Sequence, residues 1–74
     1  MSLGEYKWAV GFLRGQVKGY KRGSIRPRQV AGAVRMALGR NVSLSDIRSV
    51  LAEGGLDWDS NGSVLRDSHD QAVG

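Results

Sequence analysis

The sequence predicts a mostly α-helical domain, in which three helices form the core and a short β-hairpin follows them in a loosely winged-helix-like order. Apolar residues recur at helical spacing in three segments, and capping or helix-stopping residues bound those segments. An Asn-Gly pair near the C-terminus is flanked by residues that suit two short strands. The expected elements are helices over about 3–20, 27–39 and 44–53 and a hairpin over about 56–66.

The first helix is predicted from one apolar stripe that begins after a capping box, Ser2 and Glu5. The members of the stripe, at alternating steps of three and four, are Leu3, Tyr6, Val10, Leu13, Val17 and Tyr20. A strand is the alternative, because apolar residues also alternate over residues 6–12. The helical match is longer, and it is therefore favoured.

Glycines at four-residue spacing lie inside this predicted helix, although each lowers helix stability by roughly 1 kcal/mol relative to alanine. At about 100° per residue, they lie opposite the apolar stripe, with aromatic residues on one edge and Lys7, Arg14 and Lys18 on the other. The pattern predicts a second contact face, suited to a protein partner, a second copy of the chain or a nucleic-acid backbone; a helix that bends or ends at a glycine is the alternative. The predicted protein interface consists of Trp8, Gly11, Phe12, Gly15 and Gly19.

The second helix begins at Pro27, whose missing N–H costs nothing in a first turn, and Gly39 is expected to be its C-cap. Its apolar face is made largely of small residues, and Arg28 and Arg35 share the outward side. The members of the face are Val30, Ala33, Val34, Ala37 and Leu38.

The third helix and the hairpin have the clearest local signals. Ser43 is followed three positions later by Asp46, an acidic variant of the capping box, and a Gly54-Gly55 pair ends the helix. The inner face is predicted to be Leu44, Ile47, Val50 and Leu51. A type I′ turn at Asn61-Gly62 would set Trp58 opposite Leu65 and Asp57 opposite Arg66.

Charge is divided unequally along the chain, whose net charge is +4. Residues 1–42 carry nine basic residues and one acidic residue, a net +8, whereas residues 43–74 carry two and six, a net −4. The basic half predicts a polyanion partner, with DNA favoured over RNA; mutual neutralisation of the two halves is the alternative. The predicted nucleic-acid-binding residues are Lys18, Tyr20, Lys21, Arg22, Arg26, Arg28, Arg35, Arg40 and Arg48.

Two features argue against a helix-turn-helix that reads bases. The connection "GRNVS" is longer than the usual turn of three or four residues, and Asp46 and Glu53 on the third helix would repel phosphate. From the outer face of that helix, only Ser45, Arg48 and Ser49 are suited to touch bases.

Several classes of function are excluded by composition and spacing. The absence of cysteine fits a reducing, cytoplasmic location, and no apolar run is long enough to span a membrane. Asp57, Asp59 and Asn61 resemble the start of a calcium loop, but Ser68 stands where the closing glutamate is needed, so no metal is expected. His69 is the only histidine and has no catalytic partner, so neither an enzyme nor a cofactor is expected.

These observations predict one small domain over residues 1–67, a flexible tail over 68–74, and a homodimer as a possible assembly. The predicted function is a small basic accessory or regulatory protein that grips nucleic-acid phosphate through its N-terminal half. The alternative is an adaptor that docks on a larger protein through the glycine/Trp8/Phe12 face of the first helix.

Overall fold

The computed structural model describes residues 3–58 and the backbone of residues 64–67. It contains three α-helices followed by a two-stranded antiparallel hairpin, and the fold is mostly helical, as the sequence predicts. The elements are α1 (Leu3–Lys21), α2 (Pro27–Gly39), α3 (Leu44–Glu53), β1 (Leu56–Trp58) and β2 (Val64–Asp67). The predicted cap at Ser2, the turn at Asn61-Gly62 and the tail at 68–74 lie outside the described residues.

Helix α1 runs without interruption through its glycines, so neither a strand nor a break occurs there. Its buried face is formed by Ala9, Leu13 and Val17. The predicted stripe was wrong at its N-terminal end, because Leu3 is 68% exposed. Ala9 was missed because alanine is weakly apolar and carries little periodic signal.

Helix α1 ends in a hydrogen-bonded turn in which Gly23 takes a left-handed conformation with φ of +83°. The Ser24 N–H donates to the Gly19 carbonyl at 2.9 Å, and the Gly23 N–H donates to the Tyr20 carbonyl at 3.0 Å. This pair of bonds is the Schellman pattern that satisfies the last carbonyls of a helix. The hydroxyl of Ser24 adds a further bond to the Gly19 carbonyl at 3.1 Å, which fixes the connection to α2.

Helix α2 begins at Pro27 as predicted, and the two residues that flank its first turn bond to each other. The Arg26 N–H donates to Gln29 Oε1 at 2.9 Å, while the Gln29 N–H donates to the Arg26 carbonyl at 3.0 Å. These bonds use backbone groups of Arg26, so its guanidinium takes no part in the cap.

The expected C-cap at Gly39 was wrong. Gly39 is the last helical residue, Arg40 is the cap, and Asn41 takes the left-handed conformation with φ of +61°. Asparagine tolerates this conformation better than other residues with a side chain. The Val42 N–H donates to the Ala37 carbonyl at 3.1 Å, and the Val42 side chain is buried in the core.

Helix α3 begins and ends where the sequence indicates. The Asp46 N–H donates to Ser43 Oγ at 3.1 Å, and Gly55, with φ of +75°, follows the C-cap at Gly54. Leu44 was wrongly assigned to the inner face, because it is 47% exposed at the first position of the helix.

The hairpin register agrees with the prediction at one end only. Leu56 is opposite Asp67 as expected, but Trp58 pairs with Val64 rather than with Leu65. The irregularity between these two pairs leaves two residues of β2 opposite Asp57, which is the arrangement of a β-bulge. The predicted one-to-one pairing of Asp57 with Arg66 is therefore wrong.

The helices share one core, in which Leu13, Ile47 and Leu51 are fully buried. Four of the five residues predicted for the apolar face of α2 join this core, but Leu38 was wrongly included, because it is 36% exposed. Arg40, at the end of α2, lies beside Glu5, at the start of α1, so these two helices run antiparallel. Strand β1 lies against α3, and β2 lies against α2.

Candidate nucleic-acid interface

The densest group of cations lies where α1 ends and α2 begins. All five side chains are exposed. Lys18 and Lys21 lie in the last turn of α1 and Arg28 in the first turn of α2, while Arg22 and Arg26 lie in the connection held by the backbone hydrogen bonds described above. We refer to this group as the basic corner; its members are Lys18, Lys21, Arg22, Arg26 and Arg28.

Tyr20 lies in the same segment but not on the same surface. Its half-buried ring packs against the hydrophobic core. A ring held in this way offers little area for stacking on a base. Tyr20 therefore anchors the end of α1 to the core, next to the basic corner.

Glu53 lies close to the basic corner, because it lines surface depressions with Lys18 and with Lys21. Its Oε1 lies 3.4 Å from Arg14 Nε, and both side chains are more than half exposed. Surface pairs of this kind are weak, commonly below 1 kcal/mol. Glu53 of the acidic C-terminal part therefore pairs with Arg14 of the basic part.

The second acidic residue of α3 is also turned toward α1. The hydroxyl of Tyr6 donates a hydrogen bond to Asp46 Oδ2. Because Asp46 and Glu53 both contact α1, neither lies on the outer face of α3. The expectation that they would repel a phosphate facing α3 is weakened accordingly.

The outer face of α3 carries Ser45, Arg48 and Ser49, all exposed. The Ser49 hydroxyl donates to the Ser45 carbonyl at 3.0 Å, so its proton is used within the helix. The connection between α2 and α3 comprises four residues, 40–43, because Gly39 belongs to the helix. This length falls within the usual range for helix-turn-helix units and corrects the longer connection expected from the sequence.

The two remaining predicted cations lie away from the basic corner. Arg35 is exposed on α2. Arg40 Nη1 lies 3.5 Å from Glu5 Oε2, and its guanidinium carbon lies 5.5 Å from the centroid of the Trp8 ring. The structure therefore brings Arg40 to the opposite end of α1, and no local sequence signal links it to Trp8.

The glycine/aromatic side of α1 is open at two of its three predicted glycines. A Cβ atom added to Gly11 or Gly15 would meet nothing within 4 Å. Gly19 does not belong to this face, because it is buried under the side chain of Ile25. The signal that was missed is the apolar residue two places after Gly23, which commonly folds back on the helix end.

Two aromatic rings rise beside the open glycines. Trp8 is 53% exposed and Phe12 is 37% exposed. Their centroids are 5.6 Å apart and their planes differ by 15°, so the rings are stacked. This stack lies on the surface of α1 and contributes nothing to the buried core.

Within residues 3–58, no group of three or more Asp or Glu side chains comes close enough to hold a metal ion. Asp57 is exposed, while Asp59, Asn61, Ser68 and His69 lie outside this part of the chain. In the same part, none of the helices combines the length and the apolar character needed to cross a bilayer.

Comparison of the chain with protein-family models, with curated proteins and with solved structures found no match. Function must therefore be inferred from the side chains themselves.

Proposed function

We propose that this protein is a small basic nucleic-acid-binding protein with an accessory or regulatory role, and that it grips phosphate through the basic corner. The observation that carries the proposal is the group of five exposed cations on the end of α1, the hydrogen-bonded turn after it and the start of α2. Cations that neutralise phosphates release condensed counterions, which supplies most of the affinity in binding without sequence preference.

The order of the turn favours binding, because a fixed backbone reduces the entropy lost when the cations engage a rigid duplex. Duplex DNA is the favoured partner of this corner.

The outer face of α3 is the proposed point of contact with bases. In a winged-helix-like arrangement, the helix after the tight turn enters the major groove and the hairpin lies beside it. The four-residue connection supports this arrangement, as does the orientation of Asp46 and Glu53 toward α1. Arg48 is the residue we expect to reach a base edge, because arginine pairs with guanine O6 and N7.

The proposal is tested by titrating a fluorescent 20-base-pair duplex with the protein at 50 mM salt and following anisotropy. Saturable binding that weakens steeply with salt supports it, and a chain that binds neither DNA nor RNA at 50 mM salt contradicts it. An absorbance ratio at 260 and 280 nm that is high on purification and falls after a salt wash is a rapid first indication.

An adaptor role is the alternative, and the exposed Trp8/Phe12 stack is the observation that favours it. A larger protein would then cover the stack and the open glycines. Purification free of nucleic acid, with no binding of either nucleic acid at low salt, would favour this alternative.

A further inference from the structure

The outward side of α1 combines three features that one ligand can satisfy together. They are the stacked rings of Trp8 and Phe12, the uncovered helix backbone at Gly11 and Gly15, and a row of cations on the side of the glycines away from the rings. We call this surface the α1 face; its members are Lys7, Trp8, Gly11, Phe12, Gly15 and Lys18.

The aromatic edge offers a flat apolar surface to solvent. Trp8 keeps 53% of its surface exposed although Phe12 stacks on it and the Arg40 guanidinium lies over its ring, 5.5 Å from the centroid. Rings of this kind stack on nucleic-acid bases whatever the base, because every base has a π-face.

The floor of the α1 face permits close approach of another backbone. Gly11 and Gly15 have open space where a side chain would project. Both sit within an uninterrupted helix, where glycine is unfavourable by about 1 kcal/mol relative to alanine. Their benefit therefore lies in the access that they give to the helix surface.

The cationic edge runs parallel to the floor. Lys7 and Lys18 are exposed, and eleven residues of helix separate them by about 16 Å along the axis. Arg14 lies between them along the helix and forms an ion pair with Glu53. A polyanionic strand fits along this edge far better than an uncharged peptide does.

Antiparallel pairing of two copies through the α1 face is unfavourable. A two-fold axis perpendicular to the helices keeps each edge on the same side in both copies, so the cationic edges would lie side by side and repel. Parallel pairing would instead set each cationic edge against the other copy's aromatic edge, and sedimentation of the wild type and of Trp8→Ala tests that arrangement. A polyanion is attracted to the cationic edge without either constraint.

One end of the α1 face opens into a groove of about 420 Å³ lined by Gly4, Glu5, Trp8 and Arg40. An aromatic ring and a planar guanidinium are both surfaces on which an unpaired base stacks.

We infer that the α1 face binds single-stranded nucleic acid, with phosphates along the Lys7–Lys18 edge and one unpaired base on Trp8 in the groove. Bases within a duplex are paired and stacked and cannot reach the ring, so contact with Trp8 separates single-strand binding from duplex binding, although the α1 face and the basic corner share Lys18. The inference rests on the nucleic-acid-binding function proposed above.

The test measures the affinities of a labelled 12-nucleotide single strand and a labelled 12-base-pair duplex by anisotropy. Trp8→Ala should weaken single-strand binding about tenfold, since loss of one stacked base costs roughly that much. Duplex affinity should change less than twofold. The control for lost apolar surface is Leu44→Ala, which truncates an exposed leucine elsewhere and should change neither affinity.

The floor is tested with a matched pair of leucine variants. Gly15→Leu fills the open strip and should weaken single-strand binding, whereas Gly32→Leu adds the same side chain to an exposed, equally open position on α2 and should not. The circular dichroism of both variants verifies that the helices are retained.

Fluorescence gives a direct readout of stacking. In a Trp58→Phe background Trp8 is the sole tryptophan, and a single strand should quench its emission while a duplex should not. If Trp58→Phe does not fold, the anisotropy comparison of the wild type with Trp8→Ala decides whether a single strand binds at Trp8.

Three outcomes would overturn the inference: equal losses for strand and duplex in Trp8→Ala, no loss at all, or a wild-type dimer that Trp8→Ala converts to monomer in sedimentation. In each case duplex binding by the basic corner can persist, so failure of the inference is distinguishable from failure of the proposed function. A wild type that binds no nucleic acid overturns both.

Discussion

Ile25 lies directly against the backbone of Gly19: a Cβ atom at Gly19 would come 2.7 Å from Ile25 Cγ1 and closer still to Cδ1. The glycines of α1 thus divide into two kinds. Gly19 makes room for the turn that closes the helix, whereas Gly11 and Gly15 face open space.

Alanine substitutions should separate these two kinds of glycine. Gly11→Ala and Gly15→Ala should each raise the free energy of unfolding by about 0.5–1 kcal/mol, because alanine is the better helix former and nothing obstructs it. Gly19→Ala should instead lower it by about 1 kcal/mol, since Ile25 must move. In thermal unfolding, each 1 kcal/mol corresponds to about 4–8 °C in a domain of this size. Equal stabilisation by all three variants would mean that Ile25 does not hold this position.

The N-cap of α3 at Ser43 can be tested by substitution, and Ser45, two residues later, provides the control. Ser43→Ala removes the oxygen that accepts from the Asp46 N–H and should lower the free energy of unfolding by about 1 kcal/mol. Ser45→Ala lies on the exposed face of α3 and should be neutral or slightly stabilising, because alanine favours helices. Urea unfolding followed by circular dichroism measures both, and a neutral Ser43→Ala would contradict the cap.

Helix positions were predictable because their signals are local. Pro27, Ser43 and the Gly54-Gly55 pair act within a few residues of themselves, and the structure agrees at each. The end of α2 was missed because Asn41 rather than Gly39 takes the left-handed conformation. Sequence favours glycine for that role, and only the burial of Val42 fixes which residue turns the chain.

The candidate site was predictable in composition but not in arrangement. Exposed cations follow from their charge, so the basic corner could be read from the sequence. The approach of Arg40 to Trp8, and of Asp46 to Tyr6, depends on how α1 packs against its neighbours. Contacts between residues far apart in the chain leave no periodic trace, and the orientation of Asp46 toward α1 was missed for that reason. Gly19 was misassigned because of a nearby residue, Ile25, which packs onto it.

The outer face of α3 provides a test of base recognition. Arg48→Ala should reduce the ratio of affinities between preferred and scrambled duplexes, with a loss of about 1–3 kcal/mol on the preferred sequence only. The preferred sequence would first be selected from a random duplex pool. Arg35→Ala, an exposed arginine on α2, is the control and should leave the ratio unchanged. A uniform loss across sequences for Arg48→Ala would assign this residue to phosphate rather than to bases.

The salt dependence of duplex binding tests the basic corner itself. If its five cations each neutralise one phosphate, the logarithm of the affinity should fall with the logarithm of the salt concentration at a slope near −4.5. A rise from roughly 50 to 200 mM salt should then weaken binding on the order of 500-fold. Changing Arg22 and Arg26 together to alanine should flatten the slope by about two units, and the loss should be similar for all sequences. Lys7→Ala, at the far end of α1, should change the duplex slope by less than about half a unit. A slope that the double variant leaves unchanged would show that duplex phosphate is bound elsewhere on the protein.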